Sequence, residues 1–230
     1  NMSAKNAAAK VLQKVFSENE AFDSKDALIL KLPPPLQAKA RFYCFSVLRH
    51  FYLLLAFIKV ILPKPLKTKD KDIEALLMIA LYELLQPDAK TYAIVDETVQ
   101  SAHELKKTWA KGLINALLRR AIQEKDAILK KINSQLEVTT NHPWWFIKKV
   151  KEQWPEEWEA LLEANHQHPR MTLRVNAQKT TAAEYQKLLI PLEATTHPLS
   201  TQALILKEAV DVQALPNFDK GWVSVQDLSA

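Results

Sequence analysis

The sequence predicts a mainly α-helical protein: an all-helical bundle over residues 1–140, then a helical linker and a small α/β domain over 141–230. Three observations lead there. Apolar residues recur at helical spacing in one stretch after another through the first part, with short breaks between them. Beyond about residue 170 the period switches to two, as half-buried strands require. At 230 residues, 48% of them hydrophobic, the chain can bury the core of one large or two ordinary domains.

In SAKNAAAKVLQKVF, the residues Ala8, Val11, Leu12, Val15 and Phe16 form one face of an amphipathic helix, with Ser3 placed to cap it. Lys10 and Lys14 then share the opposite face. After the breaker LPPPL comes the long run AKARFYCFSVLRHFYLLLAFIKVIL, followed by DIEALLMIALYELLQ, YAIVDETVQSAHELKK and WAKGLINALLRRAIQ. These are separated by PKPLKTKD, Pro87 and a turn near Thr108. Following EVTTNHP, Pro143 suits a helix start, and WWFIKKVKEQW with PEEWEALLEANHQ makes a helical pair holding four of the six tryptophans. RMTLRVNA alternates as a strand, a threonine caps the short helix of TTAAEYQKLL, and ALILKE and WVSVQ are further strands.

The apolar run from Phe51 to Leu62 is broken by Lys59 and flanked by Arg49 and Lys64. It is too short to cross a bilayer and reads as a core helix, so no membrane partner is expected. The first residues lack the charged, apolar and small-residue order of a secretory signal, and Cys44 is the only cysteine; both fit a reducing cytoplasm. Asn1 ahead of Met2 reads as a remnant of cloning. The net charge of +5 tilts the partners toward nucleic acid or another polyanion without establishing one.

Several chemistries are excluded. A loop that cradles a nucleotide or a methyl donor needs glycines, because the backbone must turn tightly and approach the ligand closely, and the chain has only Gly112 and Gly221. The six histidines are scattered, with only His166 and His168 near neighbours, so no metal site is expected. Cys44 sits in the apolar stretch RFYCFSVLR, where a buried, inert thiol is expected rather than a nucleophile. Glu156 and Glu157 read as a solvated face. No catalytic residue is predicted in this chain.

The stretch KGLINALLRR, Lys111 to Arg120, places one of the two glycines inside a helix. Lys111, Asn115 and Arg119 fall four apart on one stripe, and Gly112, Ala116 and Arg120 on the next. Leu113, Ile114, Leu117, Leu118 and Ala121 should face the core. Two readings stand at this point. A glycine and an alanine beside a basic stripe leave the helix surface low, so that a sugar-phosphate chain can approach while arginines take phosphates and the amide reads a base or sugar edge. Alternatively, Gly112 permits close helix packing, Asn115 bonds locally, and the arginines simply suit the C-terminal half of a helix.

The run IVDETVQSAHELKKTWAKGLINALLRR resembles the signature helices of the NusB-type RNA-binding fold, with Asn115, Leu118 and Arg119 matching its Asn-x-x-Leu-Arg pattern. RFYCFSVLRHF resembles an earlier helix of that family through Arg41 and Arg49. The later stretch HPWWFIKKVKEQWPEEWEALLEANHQHPRMTLRVNAQKT is similar to the linker and pre-catalytic segment of the Sun (Fmu) type ribosomal RNA cytosine-C5 methyltransferases. There Pro169, Leu173, Arg174, Val175 and Asn176 match a P-x-x-x-L-R-V-N stretch. GWVSVQDLSA resembles the segment leading into that family's catalytic domain.

The resemblance implies the amino-terminal, RNA-recognising fragment of an S-adenosylmethionine-dependent enzyme acting on small-subunit ribosomal RNA, with its own catalytic domain as a further partner. The cofactor and both catalytic cysteines of such enzymes would lie in that domain, so the fragment is expected to be inactive and to bind neither cofactor nor metal. Lys10, Lys14, Lys111, Gly112, Asn115, Arg119, Arg120 and Arg174 are the candidate RNA contacts, with Lys148, Lys149 and Arg170 in reserve. The alternatives are a free-standing antitermination-type RNA-binding factor, which would have no use for residues after about 140, and a docking scaffold that does not itself bind RNA.

Overall fold

A computed structural model describes residues 2–18, 20–167, 169–198 and 200–227. Tertiary contacts divide the chain into two units, Asn1–Glu163 and Ala164–Ala230.

The first unit is helical throughout. Helix α1 (Ala4–Glu18) begins where Ser3 caps it, its hydroxyl accepting from the Asn6 amide at 3.2 Å. The apolar face that its periodicity predicts is there, but over the amino-terminal half burial extends all the way round the helix. The six consecutive residues Ala4 to Ala9 are all buried, because the Ala7-Ala8-Ala9 run lets neighbouring helices close around it. Those neighbours include α3 (Pro34–Arg49) and α5 (Lys71–Leu84). A short α2 (Ala27–Leu30) precedes α3, capped by Asp26.

The prolines of LPPPL do not merely break the chain. Pro33 caps α3 and Pro34 opens it, since the missing N–H and fixed φ of proline suit a first turn. The apolar run expected to continue from there divides at His50 into α3 and α4 (Phe51–Ile61), which meet at 79°. No single helix among the described residues is long and apolar enough to cross a membrane. Helix α5 supplies the centre of the core, burying every residue from Asp72 to Leu81. Then follow α6 (Thr91–Glu104), α7 (Ala110–Ile132) and α8 (Leu136–Thr140). Beyond Pro143, α9 (Trp144–Gln153) and α10 (Trp158–Ala164) join in a small cluster of Ile147, Val150 and Leu162.

Among the described residues, the second unit is a four-stranded antiparallel sheet with one α-helix packed on it. Strands β1 (Thr172–Val175), β2 (Thr195–His197), β3 (Ser200–Ile205) and β4 (Val223–Val225) lie in the order β2-β3-β1-β4, with α11 (Ala182–Leu188) packed on β3. Leu173 and Val175 alternate inward with Leu204, Tyr185 and Val223, while Arg174 faces outward between them. Thr181 and Glu184 form a reciprocal capping box at the start of α11. The sequence reading omits β2, whose three residues, one exposed to the next, show no alternation to detect.

Candidate nucleic-acid interface

A groove of about 510 Å³ runs between α6 and α7. Helix α6 turns Ile94, Thr98, Ser101 and Ala102 into the core, which leaves the half-buried Val95 and Val99 on the groove and Tyr92 and Asp96 at its edge. Helix α7 buries Ile114, Leu117, Leu118 and Ala121 as predicted, and Ala110 with them, whereas Leu113, also expected to face the core, is only half-buried. The neighbouring flank then presents Lys111, Gly112, Asn115, Arg119 and Ile122 to the same groove. Between the two helices the chain turns through Lys106 at φ 60, and the Lys107 amide returns to the Ala102 carbonyl at 2.9 Å. This is the left-handed helix ending that glycine usually supplies, here made by lysine.

Gly112 answers to neither of the usual demands on a glycine. It lies in α7 without a positive φ, and a Cβ built on it would meet nothing within 4 Å. The packing alternative therefore falls away: the position is open to the groove. Gly221 differs, because its φ of 70 demands a residue at ease in the left-handed region. Beside Gly112, the Arg119 Nε donates to the Asn115 Oδ1 at 3.2 Å. That bond orients the amide and leaves the Asn115 Nδ2 donors for a ligand.

The remaining candidate residues lie elsewhere. Lys10 binds Asp72 at 2.8 Å and Lys14 binds Asp26 at 2.7 Å, so both are ion-paired within the bundle rather than lining the groove. The Asp26 hydrogen bond raises the Lys14 pKa. Burial alone would push Asp26 up, but Lys14 and the Leu28 amide outweigh it and hold that carboxyl below its usual range. Arg120 turns away to Glu124 at 3.2 Å and the Ile61 carbonyl at 3.4 Å. Arg174, in the second unit, reaches Gln202 at 3.4 Å and lines a separate polar cleft with Asn176 and Ser224.

The α6 wall of the groove escaped the sequence reading. Tyr92 and Asp96 are four apart on α6, and with Val95 and Val99 they form a flank of that helix that only the approach of α7 turns into a wall. The reading of Cys44 agrees with its expectation. Cys44 is fully buried, and burial first, then Asp26, pushes its thiol up to about 12. Among the described residues no group of His, Cys, Asp and Glu could hold a metal, although His168 lies outside them. Neither glycine stands in a strand-to-helix loop, so these residues do not fit S-adenosylmethionine.

The NusB family model matches residues 2–123, and the model of the methyltransferase RsmF/B-like, ferredoxin-like domain matches residues 142–213. Among curated proteins, the ribosomal RNA small subunit methyltransferase B of Pseudomonas syringae pv. tomato is 39% identical over 232 residues, covering 100% of this chain and 52% of that protein. Its counterpart in Pseudomonas putida is 38% identical and covers 100% and 53%. A probable one in Coxiella burnetii is 40% identical over 186 residues, covering 80% and 43%. The crystal structure of PH0851 shares the fold at a TM-score of 0.62 and 16% identity, covering 98% of this chain and 53% of that one. The chain thus spans about half the length of the curated relatives it matches. By a match that takes in more than half its residues, and with an RsmF/B-like ferredoxin-like domain following, the chain belongs to the NusB family.

Proposed function

We propose that this chain is the RNA-recognition portion of an S-adenosylmethionine-dependent ribosomal RNA cytosine-C5 methyltransferase, and that the α6–α7 groove of its NusB unit grips small-subunit ribosomal RNA. The groove carries the reading: it gathers Lys111, Asn115 and Arg119 along an open strip at Gly112. Structured RNA is held mostly through backbone and shape, so a basic, low helix flank suits the holding half of such an enzyme. The methyl transfer and its cofactor belong to the longer relatives' reaction. The present chain, with no residues fitted to either, is inactive alone and works in the cytoplasm, where ribosomal RNA is modified. A functional division near residue 140 accords with the gap between the two family matches. Relatives that span the whole chain weigh against a free-standing single-domain factor.

The test is electrostatic. Each phosphate contact released from single-stranded RNA should flatten the slope of log affinity against log salt by roughly 0.7. The double variant Lys111→Ala with Arg119→Ala should therefore lose most affinity at low salt and flatten the slope, whereas Arg120→Ala, already engaged with Glu124, should change it little. An unchanged slope in a folded double variant would take the RNA surface away from this groove, toward Arg174 or the lysines of α9.

A further inference from the structure

We propose that the groove holds one unstacked guanine base of the RNA, its Watson–Crick edge on Asp96, its face on Tyr92 and its flanking phosphates on Lys111 and Arg119. The inference rests on the groove being the RNA surface and names what the groove selects.

A plain phosphate cleft would not contain Asp96. This carboxylate is exposed and lines the groove, yet among the described residues it has no ion pair or hydrogen bond, although Lys111 and Arg119 line the same groove. It repels phosphate and accepts hydrogen bonds only. Two parallel carboxylate oxygens match an edge with two adjacent donors. Guanine offers that pair, N1–H beside the 2-amino group, whereas adenine and cytosine set one amino group beside an acceptor and uracil sets one N–H between two acceptors. Unstacked bases present this edge in single-stranded RNA.

The other walls suit the same guest. Tyr92 is 86% exposed, an aromatic face with no packing role that accounts for its place, and base-on-aromatic stacking needs such a face. Val95, Val99 and Ile122 form an apolar floor, and the bare backbone at Gly112 leaves room for the sugar. The Asn115 Nδ2, freed by the Arg119 bond to Oδ1, is a donor for guanine O6 or a ribose hydroxyl.

Fluorescence anisotropy of the whole chain, at low salt, with a labelled oligouridine carrying one central guanosine tests this. Replacing guanosine by inosine keeps N1–H and deletes the 2-amino group, and should weaken binding about tenfold. Asp96→Asn should erase that difference without moving the melting temperature, and Tyr92→Ala should weaken both oligonucleotides at least about fivefold. Equal binding of guanosine and inosine, or discrimination that survives Asp96→Asn, overturns the proposal. If the Lys111 and Arg119 salt effect persists in that case, the groove still binds RNA, by its backbone alone. If that effect is absent too, the RNA reading of the groove fails with it. Free guanosine monophosphate competing as strongly as the oligonucleotide would mark a mononucleotide site and equally overturn the RNA version.

Discussion

Gly112 is a glycine that neither the backbone nor the packing of its helix requires. Within a helix, glycine is less favourable than alanine by up to about 1 kcal/mol, and here neither backbone conformation nor packing offsets that cost. Gly112→Ala should therefore raise stability by up to about 1 kcal/mol in denaturant titration, less if its place in the first turn weakens the effect. Gly112→Leu should remain folded, since its side chain enters open space, yet weaken RNA binding by filling the groove. A leucine variant that binds RNA as well as the parent chain would show that the low strip has no ligand. The contrast with Gly221 is physical: there a positive φ makes the glycine a matter of backbone geometry, and any other residue would be strained.

At the scale of elements, a carboxylate at the start of α5 joins three parts of the bundle. Asp72 is fully buried and takes Lys10 from α1 and Lys107 from the turn before α7, while its Oδ1 also accepts from the Ile73 amide at 2.9 Å. Burial would raise its pKa, but the hydrogen bonds from Lys10 and Lys107 overcome that and hold it below 3.8. Because the folded-state value is depressed, the unfolded chain binds more protons in the interval between the two values, and stability rises with pH there. The contribution is present above 3.8 and is lost as pH falls through the folded value. Asp72→Asn should lower stability by about 3 kcal/mol at neutral pH, the low end for a broken buried pair because both lysines keep some contact with water. Its urea midpoint should also change less on acidification than that of the parent chain. The same clamp fixes the turn that sets α7 against α6, so the groove depends on it.

For the whole molecule, composition limits chemistry more firmly than any motif. The chain has two glycines and one cysteine, and burial pushes that thiol up to about 12, away from a nucleophilic thiolate. Isothermal titration of the chain with S-adenosylmethionine should accordingly give no saturable heat. Clear saturation would contradict the proposal that this chain alone holds no methyl donor. The net charge of +5 is modest, and the ion pairs of Lys5, Lys10, Lys14 and Lys107 within the bundle leave it unchanged, because each takes up carboxylate together with lysine.

Local pattern alone determined the order of helices, the switch to strands after residue 170, the buried face of α7, the inert Cys44 and the stripe of Lys111, Asn115 and Arg119. Each follows from short-range periodicity or from what a residue type can do, and both are written along the chain. Only the tertiary structure decided that α1 is a central helix, because encirclement depends on which helices come to it and not on its own period. It alone showed that Lys10 and Lys14 meet carboxylates 62 and 12 residues away. The elbow at His50 was hidden because apolar residues continue through it, and hydrophobic spacing does not record a change of direction. The groove was half legible: one wall could be read on α7, but the wall with Tyr92 and Asp96 exists only where α6 packs beside it. A binding site made of two helices is a property of their contact, which no single periodicity encodes.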